Sequence, residues 1–310
     1  MNNPDPPDGR KARLPRWLLW TLLALFSWGV WAIISKLIGD ALTAAQSQAL
    51  STLGLFPVMA ALAVSRKPAD APRPSRGIGP AFVAGILACL GNVAYYHALN
   101  LGGKAATVIP LTGLYPLVTV ILALLLLRER LNAIQIGGVV LSLLAMYLFS
   151  GHGNDRVLTS ALAYALIPIA LWGVAGLLQK ISTNYLSGEI STLWFLAAFV
   201  PVATVILLSQ PWPAQITTRT WLLVIALGLF FAMGNYGILA AFACEGKASI
   251  ITPLSGLYPV VSVPIAIFFL GEKVSPRELA GIGVALASVI ALSYEKPNTK
   301  KTTHEPLHET

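Results

Sequence analysis

From Gly103 to Glu129 the chain reads GKAATVIPLTGLYPLVTVILALLLLRE, and from Gly246 to Glu272 it reads GKASIITPLSGLYPVVSVPIAIFFLGE. Residues 91–130 align with 234–273 at a constant shift of 143, with identity at 17 of 40 positions. The matches include residues that apolar segments do not share by accident: Asn92 with Asn235, Lys104 with Lys247, Tyr115 with Tyr258 and Glu129 with Glu272. This is an internal duplication. The repeated phrase is also a poor uninterrupted helix. Pro110, Gly113 and Pro116 fall within one stretch, and Pro253, Gly256 and Pro259 in the other. Each proline removes an amide donor, and glycine weakens the ladder further. In hydrocarbon an unpaired carbonyl is costly, so paired interrupted spans are expected where protein or a cavity satisfies them, as in transport proteins. These six residues are the expected hinges.

The duplication is embedded in a chain of 310 residues that is 56% hydrophobic and 11% charged, with mean hydropathy +0.72. Soluble domains carry about 25% charged residues, so the composition is that of a polytopic membrane protein. The net charge of +8 does not form a nucleic-acid patch, because the basic residues sit at the ends of apolar runs. Cys89 and Cys244 lie inside apolar spans and are not repeat mates, which reads as core and not as a disulfide or metal pair. No metal, cofactor or nucleic acid is expected; the expected partners are a small-molecule substrate and the lipid bilayer, and monomer or homodimer is left open.

Windows of about 20 apolar residues predict ten spans, at about 17–38, 41–64, 78–100, 105–127 and 132–150, then 159–181, 188–208, 221–243, 248–270 and 276–293. The expected organisation is a basic tail over residues 1–16, a first repeat over 17–150, a second over 151–293 and a tail over 294–310. With the N-terminus inside, 15 of the 21 Lys and Arg fall on the cytoplasmic side, which predicts both termini in the cytoplasm and, for a bacterial chain, the inner (plasma) membrane. Five is odd, so the second half enters the bilayer inverted relative to the first. Inverted repeats are the physical basis of alternating access.

The echo extends to the first helix of each half, where Trp28-Gly29-Val30 and Lys36 match Trp172-Gly173-Val174 and Lys180 at a shift of 144. Two Trp-Gly openings, two Pro-Leu-x-Gly-Leu-Tyr-Pro fourth helices, and their endings Arg128-Glu129-Arg130 and Gly271-Glu272-Lys273 make the chain resemble the drug/metabolite transporter superfamily, EamA type. The resemblance covers roughly residues 17–293. It implies a central cavity walled by helices 1–4 and 6–9, helices 5 and 10 to one side, and carriage of a small metabolite. Members carry amino acids, nucleotide sugars, sugar phosphates and quaternary amines, so the resemblance does not choose among them.

Trp28, Asn92, Tyr96, Tyr115, Trp172, Asn235 and Tyr258 are the expected substrate-cavity residues, with Trp31, Tyr95 and Tyr236 as further aromatic candidates. A mid-helix asparagine must find a partner, either another helix or a substrate. Lys36, Lys104 and Glu272 are predicted at the outer mouth, and their mates Lys180, Lys247 and Glu129 at the inner mouth, as charge-paired gates; snorkelling to headgroups is the competing reading of the lysines. His97 is the one histidine within a span, and a structural role is the simpler reading. All 13 acidic residues lie in tails, loops or near helix ends, so no deep carboxylate is available for proton coupling or for acid/base catalysis. The expectation is therefore a non-enzymatic carrier or exchanger of a small polar metabolite, of amino-acid or similar amphoteric type, with a flippase or exporter of an amphipathic substrate as the alternative.

Overall fold

The computed structural model describes residues 15–65, 75–126, 131–149, 156–244 and 248–294. Residues 1–14 and 295–310, with Glu129 and Lys247, lie outside the described residues. Among the described residues the fold is all helical. Helix 1 is Arg16–Ile38 and helix 3 is Ser75–Asn100; helix 6 is Arg156–Thr183 and helix 8 is Thr218–Ala243. Helix 5 is Ala133–Phe149 and helix 10 is Pro276–Ser293. The remaining four are each built from two pieces. Helix 2 runs Ala44–Ser51, then a 3-10 turn Thr52–Leu55, then Phe56–Ser65; helix 7 is Gly188–Ala197 and Phe199–Ser209. Helix 4 is Ala105–Thr112 and Pro116–Leu126, and helix 9 is Ala248–Ser255 and Pro259–Phe268. Among the described residues nine of the spans are 18 residues or longer and apolar, and helix 5 is an apolar helix just below that length.

Local chemistry sets several of the ends. Thr43 and Gln46 close a capping box on helix 2, and Ser275 and Glu278 do the same on helix 10, where Pro276 occupies the first turn. The breaks in helices 4 and 9 fall at the expected joints. Pro116 cannot donate to the Thr112 carbonyl, and the Tyr115 amide takes it instead at 3.1 Å; Tyr258 donates to the Ser255 carbonyl at 3.3 Å in the mate.

Packing follows the duplication. Helix 1 lies along helix 8 and helix 6 along helix 3, so the first helix of each half embraces the third helix of the other. Glycines permit the close crossings. A Cβ at Gly54 would sit 2.1 Å from the Ile225 carbonyl, and one at Gly228 would sit 1.8 Å from that of Ser51, which joins helix 2 to helix 8 backbone to backbone. The mate crossing joins helix 3 to helix 7 at Gly85, 2.1 Å from the Phe195 carbonyl by the same measure. Helices 5 and 10 pair to one side, where the Ser142 and Ser288 hydroxyls bond each other and Gln135 donates to the Leu292 carbonyl at 3.2 Å. Large apolar side chains such as Leu125, Val140, Leu208 and Phe268 point outward, as an exterior facing lipid requires. The architecture is two inverted five-helix repeats around a central cavity.

Candidate functional site

The two broken helices cross at their joints. A Cβ at Gly113 would lie 3.1 Å from the Pro259 ring, and one at Gly256 would lie 2.8 Å from the Pro116 ring, so each glycine receives the other helix's proline. The tyrosines then reach across. The Tyr258 hydroxyl meets Thr112 Oγ1 at 3.1 Å and donates to the Ile109 carbonyl at 3.3 Å, while the Tyr115 hydroxyl meets Ser255 Oγ at 3.1 Å. Thr112 and Ser255 are themselves repeat mates at a shift of 143. The result is a symmetric hydroxyl brace between the halves. A buried hydrogen bond contributes about 1 kcal/mol net, so Tyr115→Phe and Tyr258→Phe are each expected to destabilise the protein by about 1 kcal/mol in thermal unfolding, and the double variant by about twice that.

Above the brace lies a cavity of about 50 Å³. Its walls are Trp28, Trp31, Trp172, Tyr115, Tyr258, Phe195 and Phe231, with Ala88 and Ala175, and the amides of Gln179 and Asn235. Edge-to-face contacts tie Trp28 to both joint tyrosines at 6.4 and 6.5 Å, and Tyr115 to Trp172 at 6.2 Å. Trp28 and Trp172 are seated on mate glycines: a Cβ at Gly234 would fall 2.4 Å from Trp28 Nε1, and one at Gly91 the same distance from Trp172 Nε1. Ligand pockets usually enclose about 300 Å³ or more, so a cavity this size holds only a few waters, and cargo entry requires the walls to part.

Of the expected cavity residues, Trp28, Tyr115, Trp172, Asn235 and Tyr258 line it together. Asn92 and Tyr96 are not among its lining residues. The Trp31 ring stacks on Tyr95 with centroids 5.0 Å apart, and its indole donates to the Tyr96 hydroxyl at 3.1 Å, so Trp31 fills the space in front of both tyrosines. The mate of Trp31 is Ala175, a small buried residue that also lines the cavity. Asn92 is buried with its Oδ1 unpaired. Tyr236 packs edge-on against Trp20 at 5.1 Å, and His97 against Tyr164 at 4.5 Å, both away from the wall. Cys89 and Cys244 are unbonded thiols.

The Lys36 end is latched. Gly271 adopts φ 66°, a left-handed turn that suits glycine, and delivers Glu272 to the start of helix 4. The Glu272 carboxylate accepts from the Ala105 and Ala106 amides at 2.9 and 2.8 Å, two of the donors a helix start leaves without partners. Lys36 sits 3.9 Å from that carboxylate and donates to the Gly103 carbonyl at 2.7 Å. Lys104 does not join Glu272. Both oxygens of Glu278 accept from it at 3.0 Å, and Glu278 also accepts from Thr107 at 2.9 Å. A polar recess of about 290 Å³, bordered by Lys36, Asp40 and Asn100, lies at this end. At the opposite end Lys180 lies over the Phe242 ring at 5.9 Å.

Sequence reasoning missed Gln179, Phe195, Phe231 and Glu278. Glu278 carried a readable signal, the Ser275-Pro-Arg-Glu278 capping box. Gln179 and the two phenylalanines had none, because their repeat mates are Ser35, Ser51 and Ala88, and the wall is built where the repeats differ.

Two inverted helical repeats, broken helices crossing beside an internal cavity, and a charged latch at one end define a multi-pass membrane transporter. The chain belongs to the EamA-like transporter family, whose model matches residues 15–151 and again 159–294. It is similar to an uncharacterized transporter of Archaeoglobus fulgidus, 24% identical over 206 residues, 66% of this chain and 71% of that one. It also resembles an uncharacterized protein of Methanocaldococcus jannaschii, 37% identical over 70 residues, 23% of this chain and half of that one. A solved crystal structure superposes with a TM-score of 0.62 at 21% identity, covering 89% of this chain and 95% of that one, which speaks for the fold alone.

Proposed function

We propose that this transporter is an alternating-access carrier or exchanger of a small amphoteric metabolite of amino-acid type with an apolar body, working in the plasma membrane with both termini cytoplasmic. The observation that carries the reading is the cavity set directly on the crossed joints, with aromatic walls and two amides and no charged side chain among its described lining residues. Burying a lone ionic group in such walls costs several kcal/mol, whereas an ammonium gains from aromatic faces and a paired zwitterion satisfies itself in part. Lys36 and Lys104 are engaged by Glu272 and Glu278, which turns the role of these two from attracting anions toward holding a mouth shut. The duplication assigns the mate roles at the other mouth to Glu129, Lys180 and Lys247, and the bending to Pro110, Gly113, Pro116, Pro253, Gly256 and Pro259.

A thermal-shift screen of the purified protein against a metabolite library, followed by counterflow in liposomes, tests the cargo class. Amphoteric apolar compounds are expected to raise the melting temperature by mass action, and hits confined to anions such as phosphate esters would refute the assignment. In the same liposomes Lys36→Ala and Lys180→Ala are expected to slow exchange several-fold. Wild-type rates in both would remove the lysines from the gates.

A further inference from the structure

The two repeats hold the same indole, backbone carbonyl and asparagine in two different hydrogen-bonding arrangements. In one, the Trp172 indole donates to the Ala88 carbonyl at 3.3 Å, and the Asn92 Oδ1 is left buried and unpaired. In the other, the mate indole of Trp28 is the buried group without a partner. Its mate acceptor, the Phe231 carbonyl, is taken by the Asn235 amide at 2.9 Å, and Asn235 Oδ1 in turn accepts from Gln179 Nε2 at 3.0 Å. The Trp28 nitrogen rests on helix 8 at Gly234, three residues from Phe231, as the Trp172 nitrogen rests on helix 3 at Gly91, three residues from Ala88. By the symmetry of the repeats, the Phe231 carbonyl is the acceptor the Trp28 indole would take, and the Asn235 side chain holds it instead.

We propose that the Gln179–Asn235 amide pair is the part of the cavity that reads the cargo, and that the Phe231 carbonyl passes from the Asn235 amide to the Trp28 indole when it does. Leaving a buried donor unpaired is unfavourable, so the state shown by Trp28 is one that a ligand can relieve. Between them the two side chains carry four N–H groups and two carbonyl oxygens, and their mutual bond and the Phe231 bond use only part of these. The group they suit presents a donor beside an acceptor, as an amide or an ammonium–carboxylate pair does. A cargo that draws the Asn235 N–H to itself vacates the second lone pair of the helical Phe231 carbonyl, and the indole lying at Gly234 takes that place, so the exchange satisfies a buried donor that was unpaired. Trp28 is thus a positioning residue, and Gln179 and Asn235 are specificity residues. The cargo part of this proposal rests on the carrier reading above; the exchange at Phe231 does not.

The exchange is tested without any ligand. In protein labelled with 15N-tryptophan, with Trp28→Phe and Trp172→Phe assigning the two resonances, the wild-type Trp28 indole proton is expected upfield of that of Trp172. Asn235→Ala, and Asn235→Leu as a near-isosteric second variant, remove the competing donor and are expected to move the Trp28 signal downfield while the Trp172 signal stays put. A Trp28 proton already downfield in the wild type, or unmoved in both variants, overturns the exchange. The reading role is tested by counterflow with three probes of one hydrocarbon body: L-leucine, L-leucinamide and isopentylamine, the last lacking the acceptor. Gln179→Leu is expected to reduce the preference for the first two over isopentylamine about tenfold, through KM. An unchanged preference overturns it. If the wild type carries none of the three, the cargo class proposed above fails and the amide reading with it, and the indole resonances alone judge the exchange.

Discussion

Valine in place of Gly228 is expected to eliminate the folded protein. The added Cβ would lie 1.8 Å from the Ser51 carbonyl and 2.9 Å from the Gly54 Cα, so the obstacle is backbone on both counts. A side chain in the way can turn aside; a carbonyl held in a helix cannot. Restoring ordinary contact requires helices 2 and 8 to separate by more than about 1 Å, which forfeits dispersion contacts along the crossing, and overpacking of milder kinds already costs about 1–3 kcal/mol. Without a hydrophobic force to press helices together in lipid, that packing is much of what holds them. The expected result is a loss of monodisperse protein in size-exclusion chromatography for Gly228→Val and a lowered melting temperature for Gly228→Ala. Gly79→Ala, at a position with open space around it, should match the wild type. Wild-type yield and melting for Gly228→Val would show that this crossing is not as tight as described.

Glu272→Ala is expected to unlatch the Lys36 end. The carboxylate bonds two amides of helix 4 and faces Lys36, so its removal takes the acceptor from two donors and the counter-charge from Lys36 at once. Hydrogen bonds to charged groups are individually worth about 1.5–3 kcal/mol, and partial exposure and replacement by water reduce the net loss here to about 2–3 kcal/mol, or roughly 30- to 140-fold in the closed-to-open equilibrium. Ser35, buried one residue before Lys36, is the reporter. In a background free of native cysteines, Ser35→Cys should react with a water-soluble maleimide at least tenfold faster when combined with Glu272→Ala. Glu272→Gln, which keeps one acceptor and loses the charge, should fall between. Equal labelling rates in all three would mean that the latch does not govern access.

How much of this could be read in advance differs from layer to layer. The spans and joints were legible because proline and glycine state their backbone consequences directly, and the duplication stated them twice. The crossing of Gly113 on Pro259 follows from the same letters once the halves are inverted. The cavity wall was legible where the repeats agree, at Trp28 and Trp172 and at Tyr115 and Tyr258. It was hidden where they disagree. Trp31 lines the wall and covers Tyr96, whereas its mate is the small Ala175, and a single copy of the repeat contains no sign of which mate will intrude. The latch was half legible: Glu272 was marked by its twin, whereas Glu278 was overlooked because its mate is Gln135 and the pair is not an identity.

The crossed tyrosines bear on the barrier the protein presents to small ions. Each joint is fastened to a hydroxyl on the opposite joint, so neither half straightens without stretching a bond that belongs equally to the other. A conformation gaping at both membrane faces would have to sever both fastenings together, with nothing gained in exchange. In the alternating-access carrier proposed above, such a brace would gear the two faces, one opening as the other shuts, and keep the membrane from being short-circuited during turnover.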